Sequence, residues 1–180
     1  NKVSIIMRLS ILIITAFFST ILTLAHAANF NLDTGFAADA SKYNKTLINA
    51  VSKAGTRLIG VGIHGIIIYS DDMGINWEQA TVPTTKTLTD IDCIDKNICW
   101  ATGHDAYILK TTDQGQNWSI QYQDEIFDAP LLSISMFNES AGIAVGAFAK
   151  SLMTTDGGNT WKEFFVTEDE FQPHLNNVLV

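Results

Sequence analysis

Carboxylates, histidines and cysteines are the side chains here that could carry chemistry, and their spacing limits what each can do. Asp71 and Asp72 are adjacent. Neighbours on a turn point apart, so they do not make the facing carboxylate pair that shares a proton. His64, His104 and His174 lack metal-ligand spacing among themselves and read as solvated turn residues. Cys93 beside His104 would pair a nucleophile with a base. The two cysteines, Cys93 and Cys99, are more simply read as a disulfide across a hairpin centred on Lys96, with two half-buried thiols as the other reading. No catalytic residue, metal or cofactor is therefore expected.

The remaining acidic signal is an octet that occurs three times, with the pattern [ST]-x-D-x-G-x-[NT]-W. Its members are Ser70, Asp72, Gly74 and Trp77, then Thr111, Asp113, Gly115 and Trp118, then Thr154, Asp156, Gly158 and Trp161. The chemistry of such an octet is that of a turn. The carboxylate accepts backbone N–H groups, the hydroxyl adds a bond, glycine supplies a positive φ, and tryptophan buries a large ring. The spacing is not that of a calcium loop.

The elements that must hold these octets follow from their period. Asp72, Asp113 and Asp156 are 41 and 43 residues apart. Gly62, Gly103 and Gly146 keep the same step, and Leu47, Leu88, Leu131 and Leu175 open successive units. Each unit holds four short strand-like segments, in the second unit at residues 88–94, 98–102, 106–110 and 118–122. Some third segments, such as residues 65–69, are apolar without alternation, as expected of a strand covered on both faces. Four strands per unit of about forty residues predicts an all-β fold, a β-propeller of four-stranded antiparallel blades. Blades are expected at about 46–83, 87–124 and 130–167, with a fourth opening at 174, and Pro83, Pro130 and Pro173 fall in the connections. Since propellers have about four to eight blades, the ring is expected to continue beyond Val180.

Lys2 and Arg8, an apolar run from Leu9 to Leu24 and Ala25-His26-Ala27 read as a secretory signal peptide over residues 1–27, the run being short for a membrane span. Residues 28–45 are a ring-closing segment or a loose leader. The chain is expected to be exported, with the periplasm favoured over secretion or a lumen. Without Lys2 and Arg8, nine basic residues face nineteen acidic ones. That balance excludes nucleic acid as a partner and favours solubility.

The octet resembles the Asp-box, or bacterial neuraminidase repeat, of sialidases and other propellers. With Leu88-Thr89-Asp90-Ile91, Trp100-Ala101-Thr102-Gly103-His104-Asp105 and Ala144-Val145-Gly146, the units resemble those of the photosystem II stability and assembly factor family. That resemblance implies a seven-bladed propeller and a non-enzymatic role in holding a protein or membrane-protein complex. An arginine patch is associated with that role in the photosynthetic members. Arg57 is the one arginine after residue 27, so the expected role is an exported assembly or scaffolding protein. The alternatives are a sialidase-type glycoside hydrolase, which needs three arginines for its substrate carboxylate, and a carbohydrate-binding propeller.

Strands that run up and down put the octets on one side of the blades. The turns at His64, at His104 and Asp105, and at Phe148 then lie on the other. The inter-blade loops share that side with Asp124, Glu125, Phe127 and Asp128, and with Glu168, Asp169, Glu170 and Phe171. This acidic rim with interleaved aromatics is either a surface for a basic or amphipathic protein segment or a set of solvated loops.

Overall fold

Every repeat folds into an antiparallel meander, because each apolar segment is bounded by a turn short enough to bring its neighbour alongside. A computed structural model of the chain describes residues 35–40, 46–124, 126, 129–166 and 173–178. The segment read as a signal peptide lies outside them, as do Glu125, Phe127, Asp128, Glu168, Asp169, Glu170 and Phe171. The first sheet comprises β1 (Ile48–Ala54), β2 (Arg57–Gly62), β3 (Ile67–Ser70) and β4 (Glu78–Gln79). The second comprises β5 (Leu88–Cys93), β6 (Cys99–Gly103), β7 (Ile108–Thr111) and β8 (Ser119–Tyr122). The third comprises β9 (Leu131–Met136), β10 (Gly142–Gly146), β11 (Ser151–Thr154) and β12 (Lys162–Glu163). In each sheet the strands lie in chain order. The opening strands β1, β5 and β9 stand side by side, so the sheets stack as blades.

Alternate side chains of the middle sheet feed two apolar layers. Ala101, Tyr107, Leu109 and Trp118 join Ile59, Val61 and Ile67 on one side. Trp100, Ile108, Leu131, Ala144, Leu152 and Trp161 fill the other. All five residues of β6 are buried, which is why its sequence shows no alternation. In the first sheet Ile66 and Ile67 are fully buried while Ile68 and Tyr69 are half-buried, so two-sided burial does not extend along the whole segment 65–69.

The opening strands are cross-linked by polar side chains at equivalent positions. Asn49 Nδ2 donates to the Leu88 carbonyl at 2.7 Å. Asp90 accepts the Ile134 N–H at 3.0 Å and the Ser133 hydroxyl at 2.9 Å, and Asp92 accepts the Met136 N–H at 2.7 Å. Ser133 Oγ also accepts the Val178 N–H at 3.3 Å and lies 3.0 Å from the Asn177 side chain, placing residues 173–178 beside β9. Backbone donors that no sheet partner reaches are thus satisfied by the neighbouring blade.

Each blade also has a point where backbone meets backbone. A Cβ added at Gly62, Gly103 or Gly146 would lie 2.1, 2.3 or 2.1 Å from the carbonyl oxygen of Leu47, Thr87 or Pro130. The same carbonyls accept the N–H of Ile63, His104 and Ala147, at 2.9 to 3.2 Å. The repeated glycine is therefore required by space rather than by its φ, which is extended in all three blades.

Candidate partner-binding face

The three boxes share one hydrogen-bond pattern. Ser70 Oγ donates to Asp72 Oδ1 and accepts the Gly74 N–H, while Asp72 accepts the N–H and side-chain amide of Asn76 at 2.8 and 2.6 Å. Thr111, Asp113 and Asn117 repeat this, as do Thr154, Asp156 and Thr160. The box residue before the tryptophan thus closes the turn on the carboxylate, a role that its Asn-or-Thr identity signals. Gly74, Gly115 and Gly158 have φ of 90°, 80° and 87°, where a Cβ would be strained. Trp77 and Trp118 donate to the carbonyls of Gly74 and Gly115 at 3.0 Å.

These bonds set the acid sensitivity of the fold. The Asn76 backbone N–H, with the Asn76 amide and Ser70 hydroxyl, holds Asp72 below the usual carboxylate value. At Asp113 the burial that would raise it is outweighed by the Asn117 N–H and amide and by Thr111. The Thr160 hydroxyl and N–H lower Asp156. A depressed folded-state value contributes stability above the unfolded value of about 3.9, and that contribution disappears as pH falls through the folded values. Thermal unfolding scanned from pH 7 to pH 2.5 is expected to hold steady to about pH 4 and then fall, and Asp113→Asn should flatten the fall.

Boxes also bind neighbouring blades. The Thr81 N–H donates to the Gln116 carbonyl and the Trp118 N–H to the Thr81 carbonyl, at 2.9 and 3.0 Å. Arg57 stands over the Tyr69 ring at 4.3 Å and donates to the Gln114 carbonyl at 2.9 Å. One repeat on, Lys110 stands over the Trp100 ring at 4.9 Å and donates to the Gly157 carbonyl at 2.7 Å. Gln114 and Gly157 each follow their box aspartate, so a cation held over an aromatic ring clamps the next box at the same carbonyl. Exposure of the box tryptophans follows from this stacking. Trp118 and Trp161, each in a layer shared with the blade before it, are 6% and 8% exposed, and Trp77 is 40% exposed.

Asp71 and Asp72 diverge: Asp71 pairs with Arg57 at 2.6 Å, while Asp72 serves its box. Cys93 and Cys99 are opposite residues of β5 and β6 and their sulfurs are bonded. A groove of about 400 Å³ beside the second box is lined by residues that include Asp113 and Trp118, both committed to the turn. Among the described residues no cluster of histidine, cysteine, aspartate and glutamate could hold a metal ion.

The opposite side carries the turns between the second and third strands. His64, Asp105 and Phe148 occupy the same position in left-handed conformation, with φ of 56°, 55° and 54°. Exit loops reach them. The Asp124 N–H donates to the Asp105 carbonyl, and the Ala149 N–H to the Pro173 carbonyl. His174, expected to be simply solvated, packs its ring on Phe148 with centroids 5.1 Å apart. Lys150, nearly buried, is pinned by Asp124 at 2.9 Å and by Glu163. Its burial, which would lower it, is outweighed by these carboxylates, so its ammonium is held above the ordinary value. Lys86 pairs with Asp105, and His104 is exposed. Exposed apolar side chains that the sequence reading did not single out lie in the exit loops: Ile126 is 99% exposed, Phe165 85% and Val166 54%, beside Phe148 at 50%. The signal that marks them is their position just after a fourth strand.

Comparison with known proteins adds to this geometry. A family model described as Photosynthesis system II assembly factor YCF48 matches residues 69–172. The photosystem II assembly lipoprotein Ycf48 of Synechococcus sp. (strain CC9902) is 31% identical over 109 residues, 57% of this chain and 32% of that protein. The photosystem II assembly protein Ycf48 of Thermosynechococcus vestitus is 40% identical over 42 residues, 23% of this chain and 12% of that protein. A solved YCF48 bound to D1 peptide has a TM-score of 0.58 at 21% identity, covering 71% of this chain and 45% of that one. YCF48 from Cyanidioschyzon merolae has a TM-score of 0.58 at 17% identity, covering 67% and 41%. The chain spans less than half the length of each of these relatives. The structural likeness establishes the β-propeller fold, and with more than half of its length matched by the family model, the chain belongs to the photosystem II assembly factor YCF48 family.

Proposed function

We propose that this chain is the propeller portion of an exported, non-enzymatic assembly factor that docks a protein segment on the face carrying the turns and exit loops. The observation that carries this reading is the set of exposed apolar side chains in the turn at Phe148 and in the exit loops at Ile126 and Phe165, loops whose sequence is acidic. Apolar anchors in loops of acidic sequence suit an amphipathic segment with basic residues. The solved relative bound to a D1 peptide supports a peptide as the class of partner. The loop residues Glu125, Phe127, Asp128, Glu168, Asp169, Glu170 and Phe171, outside the described residues, continue the same loops in sequence.

A sugar-acid site is disfavoured by the arrangement of Arg57. Its guanidinium is divided between Asp71 and the Gln114 carbonyl on the box side. It is thus not available to clamp a substrate carboxylate.

A photo-crosslinking amino acid placed at Phe148 in the full chain in its native host is expected to give a discrete adduct with a membrane-complex subunit or its precursor. The same group at Asn117, on the box side, should give none. Equal labelling from both positions, or adducts from Asn117 alone, would reject this face.

A further inference from the structure

Residues 35–40 lie against the first blade through bonds that no periodicity announces. The Ala37 N–H donates to the Val82 carbonyl at 2.9 Å and the Ala38 N–H to the His64 carbonyl at 3.1 Å. The Gln79 side-chain amide spans the segment, donating to the Ala38 carbonyl and accepting the Ala40 N–H, both at 2.7 Å. Ala37 packs against the core layer between the first two sheets.

The second blade shows why that site exists. There the carbonyl equivalent to that of His64 belongs to Asp105, and it accepts the N–H of Asp124, six residues after Trp118, at 3.3 Å. Six residues after Trp77 stands Pro83, which has no N–H to donate. The first blade therefore cannot satisfy its own turn as the second does, and Ala38 supplies the donor from elsewhere in the chain.

We propose that residues 35–40 are a strap, built into the propeller, whose receiving slot is created by Pro83. The slot takes a backbone with two successive N–H donors, at Ala37 and Ala38, and packs the Ala37 methyl against the core layer. Two consequences follow for the chain as it works. Processing at the amino end must stop short of residue 35 for the first blade to be complete. The His64 sector of the turn face is held by the chain itself, so partner contact falls to the sectors of Asp105 and Phe148.

The test is a double-mutant cycle in the full chain together with amide hydrogen exchange. In the native sequence the amides of Ala37, Ala38 and Ala40 are expected to exchange on the order of 100-fold more slowly than in an unstructured peptide. Ala38→Pro, which deletes the donor, should lower the melting temperature by about 4 °C. In a Pro83→Ala background, where residue 83 regains an N–H, the same substitution should cost less than about half as much. Gln79→Ala, which leaves the strap backbone unaltered, should speed exchange at Ala40. Exchange at peptide rates in the unaltered chain would overturn the strap. An equal cost of Ala38→Pro in both backgrounds would overturn the role given to Pro83.

Discussion

Gly146→Ala is expected to destabilise the third blade by about 3 kcal/mol or more and to lower the melting temperature by roughly 10 °C. The added Cβ would lie 2.1 Å from the Pro130 carbonyl oxygen and 2.8 Å from the Leu131 Cα. Both atoms are backbone, so no side chain can rotate out of the way. The Pro130 carbonyl is also fixed by the Ala147 N–H at 3.0 Å, and moving it breaks the bond that joins the start of β9 to the end of β10. Gly103→Ala should behave alike, since the Thr87 oxygen lies 2.3 Å from its added Cβ. Gly74→Ala is the contrasting case. Its nearest atoms are those of the exposed Trp77 ring, at 3.4 Å and beyond, so the cost there is the left-handed φ alone, about 1 kcal/mol. Urea denaturation of the three variants measures the difference, and equal losses would show that the close approach of backbone to glycine is not what the repeat preserves.

Trp100→Ala should cost about 4 kcal/mol, the range for deleting a large buried ring. Trp100 is fully buried between the second and third sheets, where its ring meets Gly158 and lies under the Lys110 ammonium. Removing it empties the layer and also releases the cation that clamps the third box. The polar end of the ring contributes less. Among the described residues its Nε1 finds no acceptor, so Trp100→Phe loses volume but no hydrogen bond and should cost only about 1 kcal/mol. Trp118→Phe should cost more than Trp100→Phe, because Trp118 Nε1 does have an acceptor, the Gly115 carbonyl. If the order of the two phenylalanine variants is reversed in thermal unfolding, the Trp118–Gly115 hydrogen bond does not contribute the difference assigned to it.

The boxes were legible in the sequence because every bond that defines them is local. A carboxylate that bonds a residue four positions on needs only the right types at the right spacing, and Asp72, Asp113 and Asp156 meet that condition within their own octets. The strand order was legible for the same reason, since each strand pairs with the next in the chain. Cys93 and Cys99 were placed opposite each other by a hairpin of short reach.

Contacts between blades were not legible, because they depend on how one sheet is offset against the next. Arg57 reaches the Gln114 carbonyl 57 residues away, and Lys110 reaches that of Gly157 across 47. Neither distance is a repeat length, and Arg57 precedes its ring, Tyr69, whereas Lys110 follows its ring, Trp100, so no linear pattern associates cation with aromatic partner. The loops on the turn face show the same limit. Their acidic composition is apparent from sequence, but the pairing of Lys150 with Asp124 arises only when the exit of one blade meets the turn of the next.

By itself the sequence determined a repeating all-β unit, the turn chemistry that closes it and the glycine each unit needs, since these are written in short-range order. The stacked blades decided which tryptophans meet a neighbouring blade, which carbonyl Arg57 reaches and where residues 35–40 lie. Burial and long-range hydrogen bonds come from surfaces that exist only after the sheets have packed, as where Trp118 and Trp161 enter the layers they share with the preceding blade.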